Sequence, residues 1–355
     1  MTKENILVAM SGGVDSAVAA HLVHAAGQDA RGVTMKLLCG AGVPSCCTEE
    51  DIAAARATAE RIGIPYEVRD FSGRFEEKVI LPFIADYENG RTPNPCVSCN
   101  RYLKFEALFA YAREIGCARV ATGHYARLAK GANGRTLLLR ARDESKDQSY
   151  MLSALSQEQL SHALFPLGDL NKSEVREIAR AAGFVNAERK ESQDICFVKG
   201  ESYTDFIERY TGKSYPAGDF LHTDGRVLGQ HRGIVRYTVG QRKGLGLALP
   251  APLYVVRVDA ENNRVILGEE SALYTRRLRA TGFNLIAADR LSGEERLSAR
   301  VRYHQKDSPA TVVQTGENEV EILFDEPQRA VTPGQTVVLY DGETVVGGGV
   351  IDGVL

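Results

Sequence analysis

The chain has 355 residues, 44% apolar and 25% charged, and a net charge of −3. Those proportions exclude wholesale disorder, and the length exceeds what one ordinary core organises, so two or three domains are expected. The net charge by itself does not point to a nucleic-acid partner. No apolar run approaches a membrane span, which predicts a cytoplasmic protein without a membrane partner.

Roughly the first 120 residues alternate apolar strands with amphipathic helices, the pattern of a parallel sheet covered on both faces. Ile6–Met10 reads as a strand, followed by a helix through 17–23 that Gly27 stops. Arg31–Met35 is the second strand. Thr48 caps an Ala-rich helix from Glu49 to Ile62, with Glu50 and Asp51 well placed in its first turn. Pro65–Arg69 and Arg119–Thr122 supply two more strands. Between them are expected a helix around Phe75–Tyr87, a turn-rich loop Gly90–Asn100, and a helix from Leu103 to Ile115. A hairpin around Gly131–Arg135 interrupts this rhythm, and helices resume at Gln148–Leu155 and Lys172–Ala182. From Gly200 frequent glycines punctuate short segments. After about Ser271 the β alternation of 299–303, 310–313, 320–324 and 336–340 predicts a small closed barrel. The expected organisation is α/β: a Rossmann-like, HUP-type parallel sheet over 1–199, a small central domain over 200–270 and a C-terminal β-barrel over 271–355.

Ser11-Gly12-Gly13-Val14-Asp15-Ser16 lies directly between a strand and a helix. Its glycines let backbone N–H groups crowd around an anion, and the helix N-terminus adds partial positive charge. Ser11 and Ser16 can donate to phosphate oxygens, and Asp15 can hold the magnesium that accompanies a triphosphate. A Walker loop would end in Gly-Lys-Ser/Thr, which is missing. The run instead resembles that of the pyrophosphate-loop ATPases, which cut ATP between the α and β phosphates. Ala9, Met10, Ser11, Gly12, Gly13, Val14, Asp15 and Ser16 are therefore the candidate ATP-binding run. Met35 and Gly123 join them from the carboxyl ends of other strands. His124 could touch phosphate or substrate, or serve as a structural hydrogen-bonder.

The seven cysteines are Cys39, Cys46, Cys47, Cys96, Cys99, Cys117 and Cys196. An odd number in a long chain argues for thiol chemistry or a metal over a disulfide scaffold. Cys117 reads as a small buried hydrophobe, and Cys46-Cys47 as structural or incidental. Cys96 and Cys99 precede an expected helix whose N-terminus would lower a thiol pKa. Cys196 lies in a short turn, Ser192–Phe197. Two separated thiols on an ATP-cleaving enzyme suggest sulfur handling, one carrying a persulfide and the other resolving it.

Ser-Gly-Gly-Val-Asp-Ser, Gly90-Arg-Thr-Pro-Asn-Pro with Cys99-Asn100, Ala121-Thr-Gly-His-Tyr125, Lys146-Asp-Gln-Ser-Tyr150, Ile195-Cys-Phe197 and Thr238-Val-Gly-Gln-Arg-Lys-Gly-Leu-Gly246 occur in order. Together they resemble the bacterial tRNA-specific 2-thiouridylase family over essentially the whole chain. The resemblance implies ATP-dependent adenylylation of the 2-oxygen of the wobble uridine in tRNAs for Lys, Glu and Gln, then sulfur transfer. It implies Cys196 as persulfide carrier, loaded by a sulfur-relay protein or cysteine desulfurase, and Cys99 as nucleophile, leaving a Cys99–Cys196 disulfide. It places Asn94, Pro95 and Cys96 at the target base, and His124, Lys146, Asp147, Gln148, Arg302, Tyr303 and Gln335 at the tRNA. Arg302-Tyr303 reads equally as an ordinary strand pair.

Many family members carry Asp where this chain has Cys96. That departure raises an alternative in which Cys96, Cys99 and Cys196 hold a [4Fe-4S] cluster; the persulfide route is preferred. Another pyrophosphate-loop ligase, such as a GMP synthetase or lysidine synthase, is the remaining alternative. Between Asp224 and Asp259 there is no acid, while Arg226, Arg232, Arg236, Arg242, Lys243 and Arg257 form a basic stripe suited to RNA phosphates or to a solvated face.

Overall fold

The computed structural model describes residues 3–37, 48–189, 195–198 and 200–355. Cys39, Cys46, Cys47 and the Ser192–Asp194 part of the expected thiol turn lie outside the described residues.

Strands β1 (Asn5–Ala9), β2 (Asp29–Lys36), β3 (Tyr66–Asp70), β4 (Arg119–Ala121), and a short strand β7 (Ala163–Leu164) form a parallel sheet in the order β3-β2-β1-β4-β7. The central strand is apolar from Ile6 to Ala9 because both its faces are covered. Ile6 and Val8 pack with Ala20, Ala55 and Ala59 of helices α1 (Val14–Ala25) and α2 (Glu49–Ile62). Leu7 faces the other way, onto Leu108, Phe109 and Ala112. The small side chains of α1 and α2 let both helices sit close on the sheet. Helix α2 starts where Thr48 and Asp51 form a reciprocal capping box and ends at Gly63 in the left-handed conformation.

Two expected helices are longer than the sequence indicated. One runs without a break through Ser72–Phe75, a π-helical Glu76–Ile80 and Leu81–Glu88. The other begins at Pro95, not Leu103, and passes through a π-helical stretch, Cys99–Ala107, before Leu108–Glu114. Proline at the first position is pre-set for a helix start. The loop therefore stops at Asn94, and both cysteines lie within the helical run.

A helix at Tyr203–Thr211, hidden by the glycine-rich texture, introduces a four-stranded sheet. Its strands are β8 (Gly218–His222), β9 (Val227–His231), β10 (Tyr254–Asp259) and β11 (Arg264–Gly268), ordered β10-β11-β8-β9. Phe206, Phe220, Val255 and Leu267 share one core with Phe75, Val79 and Phe83 of the long helical run, so this sheet is docked on the nucleotide-binding part.

Six strands close the C-terminal barrel: β12 (Tyr274–Leu285), β13 (Glu294–Arg300), β14 (Ser308–Gly316), β15 (Glu319–Arg329), β16 (Thr336–Asp341) and β17 (Thr344–Val354). Their order is β12-β15-β14-β13-β16-β17, and β12 pairs with β17 to complete the ring. The hairpin β5 (Arg127–Lys130) and β6 (Thr136–Leu139) extends this sheet through Leu139 opposite Thr344. Strand β13 ends at Arg300, which leaves Arg302-Tyr303 in a turn and removes the strand-pair reading.

Candidate active site

The glycine loop occupies the switch point of the sheet, where the chain leaves β1 and the order reverses towards β4. Thr34 Oγ1 donates to the Met10 carbonyl at 2.6 Å and pins the end of β1. Gly12 takes φ +78°, and a Cβ there would collide with the backbone of Asp51, so α2 seats the loop from behind. Ser16 Oγ accepts from Ser11 N–H at 3.1 Å and donates to the Gly13 carbonyl at 3.0 Å. Among the described residues no side chain caps α1 at Gly13, which leaves its first-turn N–H groups for an anion.

Asp15, the expected magnesium ligand, is engaged by protein groups. Lys172 Nζ donates to its two oxygens at 2.7 and 2.8 Å, and Tyr125 Oη donates to Oδ1 at 2.7 Å. Gly123 makes a close approach, but to the loop: a Cβ there would lie 2.7 Å from the Asp15 carbonyl carbon and 2.8 Å from Ser16 N.

Met35, at the carboxyl end of β2, packs on the same apolar cluster as Cys99 and Cys196. Phe197 anchors the Cys196 turn, buried edge-to-face against Phe75 and Phe83 with ring centroids 5.6 and 5.2 Å away. Cys96 and Cys99 are free thiols. Burial pushes Cys99 up to about 12, the Lys104 ammonium pulls it back, and Cys196 and Cys96 add to the rise. Cys96 is exposed, yet crowding by surrounding protein raises its thiol too, followed by Cys196, with Lys104 opposing. The expected lowering by a helix N-terminus is overruled, because desolvation of a thiolate outweighs a partial charge one turn away.

Lys104 and Lys172 are the cations the sequence did not single out. Lys104 lies in the π-helical stretch, 3.4 Å from His124 Nε2. His124 is buried, with Nδ1 2.7 Å from Thr122 Oγ1, and burial beside Lys104 holds it well below the ordinary histidine range. Nε2 then accepts from the lysine and Nδ1–H donates to the threonine. A signal for Lys172 was present: it is a cation at the first position of a helix, where the dipole favours an acid.

Three family profiles cover the chain in series: a tRNA methyl transferase HUP domain over residues 4–200, a tRNA methyl transferase PRC-barrel domain over 204–269 and an aminomethyltransferase β-barrel domain over 275–351. The tRNA-specific 2-thiouridylase MnmA of Moorella thermoacetica is 49% identical over 354 residues, 98% of this chain and 99% of its own. The chain belongs to the tRNA-specific 2-thiouridylase family. The relative from Clostridioides difficile is 45% identical and covers 98% of each chain. Among solved structures, a 4-thiouridine synthetase–RNA complex with bound ATP shares 16% identity at a TM-score of 0.34, over 58% of this chain and 50% of its own.

The 2-thiouridylase residues expected at the RNA divide into two groups. Around the target-base loop, Asn94 Nδ2 lies 3.8 Å from Met151 Sδ, and Pro95 is buried beneath. Gln335 Nε2 donates to the carbonyls of Thr92 and Pro93 at 2.9 and 3.1 Å, so the barrel holds that loop directly. Asp147 is buried, accepting from Ala141 N–H and Ser149 N–H at 3.0 and 3.1 Å. Gln148 Oε1 accepts from Tyr125 N–H at 3.0 Å. Lys146 ends a short 3₁₀ turn just before them and is partly exposed.

The second group is Arg302 and Tyr303, of which Arg302 lines a cavity of about 600 Å³ together with Arg232, Arg236 and Lys243 of the basic stripe. Arg302 is committed to the Ala330 carbonyl and Thr332 Oγ1 at 2.9 and 2.7 Å, and Tyr303 packs 5.9 Å from the Tyr150 ring. Arg226, Arg236 and Arg257 of the basic stripe are paired with Asp224, Glu208 and Asp259.

Proposed function

We propose that the protein uses ATP to convert the 2-oxygen of the wobble uridine of tRNA to sulfur, through a persulfide on Cys196. The observation that carries this reading is the placement of two cysteines, Cys99 and Cys196, on one apolar cluster with Met35, in a member of the 2-thiouridylase family that carries a pyrophosphate loop.

The residues would act in order. The N–H groups at the start of α1 hold the phosphates, and the uridine 2-oxygen attacks the α-phosphorus as pyrophosphate leaves. AMP turns a poor leaving oxygen into a good one. Magnesium, when bound, would neutralise phosphate charge, and Asp15, a hard oxygen donor at the loop, fits it. Cys99 then attacks the Cys196 persulfide. Two thiols are oxidised to a disulfide while the outer sulfur is reduced to sulfide, which adds to C2 and expels AMP. A thiol reductant restores the pair.

Lys104 is the nearby cation that would stabilise the Cys99 thiolate. Substrate tRNAs for Lys, Glu and Gln, a sulfur-relay protein or cysteine desulfurase as donor, and a cytoplasmic site of action complete the reading. No helix among the described residues is long and apolar enough to cross a membrane. The cluster alternative fits less well: among the described residues no group of three His, Cys, Asp or Glu side chains is arranged to hold a metal ion.

The test is mass spectrometry of nucleosides from 2-thiouridine-deficient tRNA after incubation with the protein, ATP, magnesium and a persulfide-loaded donor. The 2-thiouridine signal is expected to vanish in both Cys99→Ser and Cys196→Ser. Full activity in the double variant would overturn the thiol route and favour another pyrophosphate-loop ligase.

A further inference from the structure

The peptide between Gly12 and Gly13 is flanked by two residues without a Cβ, so neither neighbour hinders its rotation. Its orientation decides what the loop offers an anion. In a trans peptide the carbonyl and the N–H point opposite ways, and a half-turn would present an oxygen where a phosphate needs a donor. The turn over residues 183–189, just after the helix Lys172–Ala181, supplies a restraint. Asn186 Nδ2 donates to the Gly12 carbonyl at 2.9 Å, across 174 positions of chain. Gly13 N–H is thereby turned the other way, and among the described residues it meets no acceptor. Asn186 is 4% exposed, and its Oδ1 is buried with no hydrogen-bond partner among the described residues. A stranded acceptor is destabilising, and a leucine of similar size would remove it. Packing does not explain the amide, because Phe184 and Ala187 already seat the turn in one apolar cluster with Val14, Ala17 and Val18. The Phe184 ring also meets His21 edge-on, with centroids 5.8 Å apart.

We propose that Asn186 is a positioning residue for ATP: by holding the Gly12 carbonyl it locks the Gly12–Gly13 peptide with Gly13 N–H directed at the phosphates. Only the amide nitrogen can serve, since a carbonyl oxygen needs a donor. Without that bond the peptide is free to turn over, which would carry Gly13 from φ −86° to about +90°, a region glycine enters readily and other residues do not. The loop would then lose one donor and gain an oxygen facing the anion. This assignment rests on the ATP-cleaving reading above, but not on the identity of the thiolated RNA.

Calorimetric titration of the full chain with inorganic pyrophosphate and magnesium, without tRNA, tests it. Asn186→Leu is expected to weaken pyrophosphate by about tenfold, the worth of one hydrogen bond to a charged group. Adding Gly13→Ala to that variant is expected to restore most of the affinity, because alanine keeps the observed φ and resists the turned-over one. A role in packing alone would not be rescued in this way. Asn186→Asp keeps the shape of the side chain and replaces the donor with a carboxylate that repels the Gly12 carbonyl, so its loss should be at least as large. Parental affinity in Asn186→Leu or Asn186→Asp overturns the proposal, as does a double variant that recovers nothing. A parent chain that binds no pyrophosphate would instead sink the ATP-cleaving reading, and this assignment with it.

Discussion

Alanine at Gly123 would add one methyl group where the strand end meets the phosphate loop. The new carbon would lie 2.7, 2.8 and 3.0 Å from three backbone atoms of Asp15 and Ser16, against 3.4 Å or more for ordinary contact. Backbone cannot rotate away as a side chain does, so β4 and the start of α1 must part by several tenths of an ångström. Overpacking of this kind costs about 1–3 kcal/mol, and each kcal/mol lowers Tm by roughly 2–4 °C in a domain of this size. The displaced atoms include the N–H groups offered to phosphate, so ATP affinity should fall with stability. Gly13→Ala is the control. Gly13 has φ −86°, and its added carbon would meet only Ser11 Oγ at 3.5 Å, so its Tm should stay unchanged. Thermal unfolding with and without a non-hydrolysable ATP analogue reads both effects. A Gly123→Ala protein with parental Tm and analogue affinity would refute the reasoning.

Gln335→Ala removes two hydrogen bonds to the target-base loop, at about 0.5–1.5 kcal/mol each. It should slow thiolation more than it lowers Tm, as single-turnover kinetics beside calorimetry would show. His124 is held neutral by burial next to Lys104, so its depressed folded-state pKa contributes stability that is present above the ordinary value of 6.5 and lost as pH falls below it. His124→Gln should flatten the fall in Tm between pH 6.5 and lower values. An unchanged slope would show that other groups govern acid sensitivity. The cationic cavity predicts that tRNA affinity falls steeply with salt; Arg232→Ala should reduce the log–log slope by about one, measured by filter binding across a salt series.

Much of the parallel sheet could be read in advance because each strand there is flanked by its own punctuation. Thr48 and Gly63 bracket α2 as local chemistry requires, and Gly12-Gly13 mark the phosphate loop by residue type alone. Strand β7 is two residues long and exists only because β4 offers it an edge. Strand β12 was hidden by its arginines: Arg276, Arg277 and Arg279 are exposed while Leu278 and Ala280 face the barrel core. The site residues supplied by distant contacts were least visible. Asp15 meets a lysine 157 positions away, and Gln335 meets a loop over 240 positions away. No local pattern encodes such pairs.

The β5–β6 hairpin belongs by sequence to the ATP-binding part, yet it is stitched to the rim of the barrel. Beside that seam the guanidinium groups of Arg140 and Arg300 lie 3.7 and 5.2 Å from the centre of the Tyr340 ring. A chain cut before residue 275 would thus forfeit more than a tail, since it would strip the partner from one edge of the hairpin and bare an aromatic clasp. The three profile-matched segments are consecutive on the gene but are not interchangeable cassettes, and swapping barrels between relatives would require carrying this hairpin along.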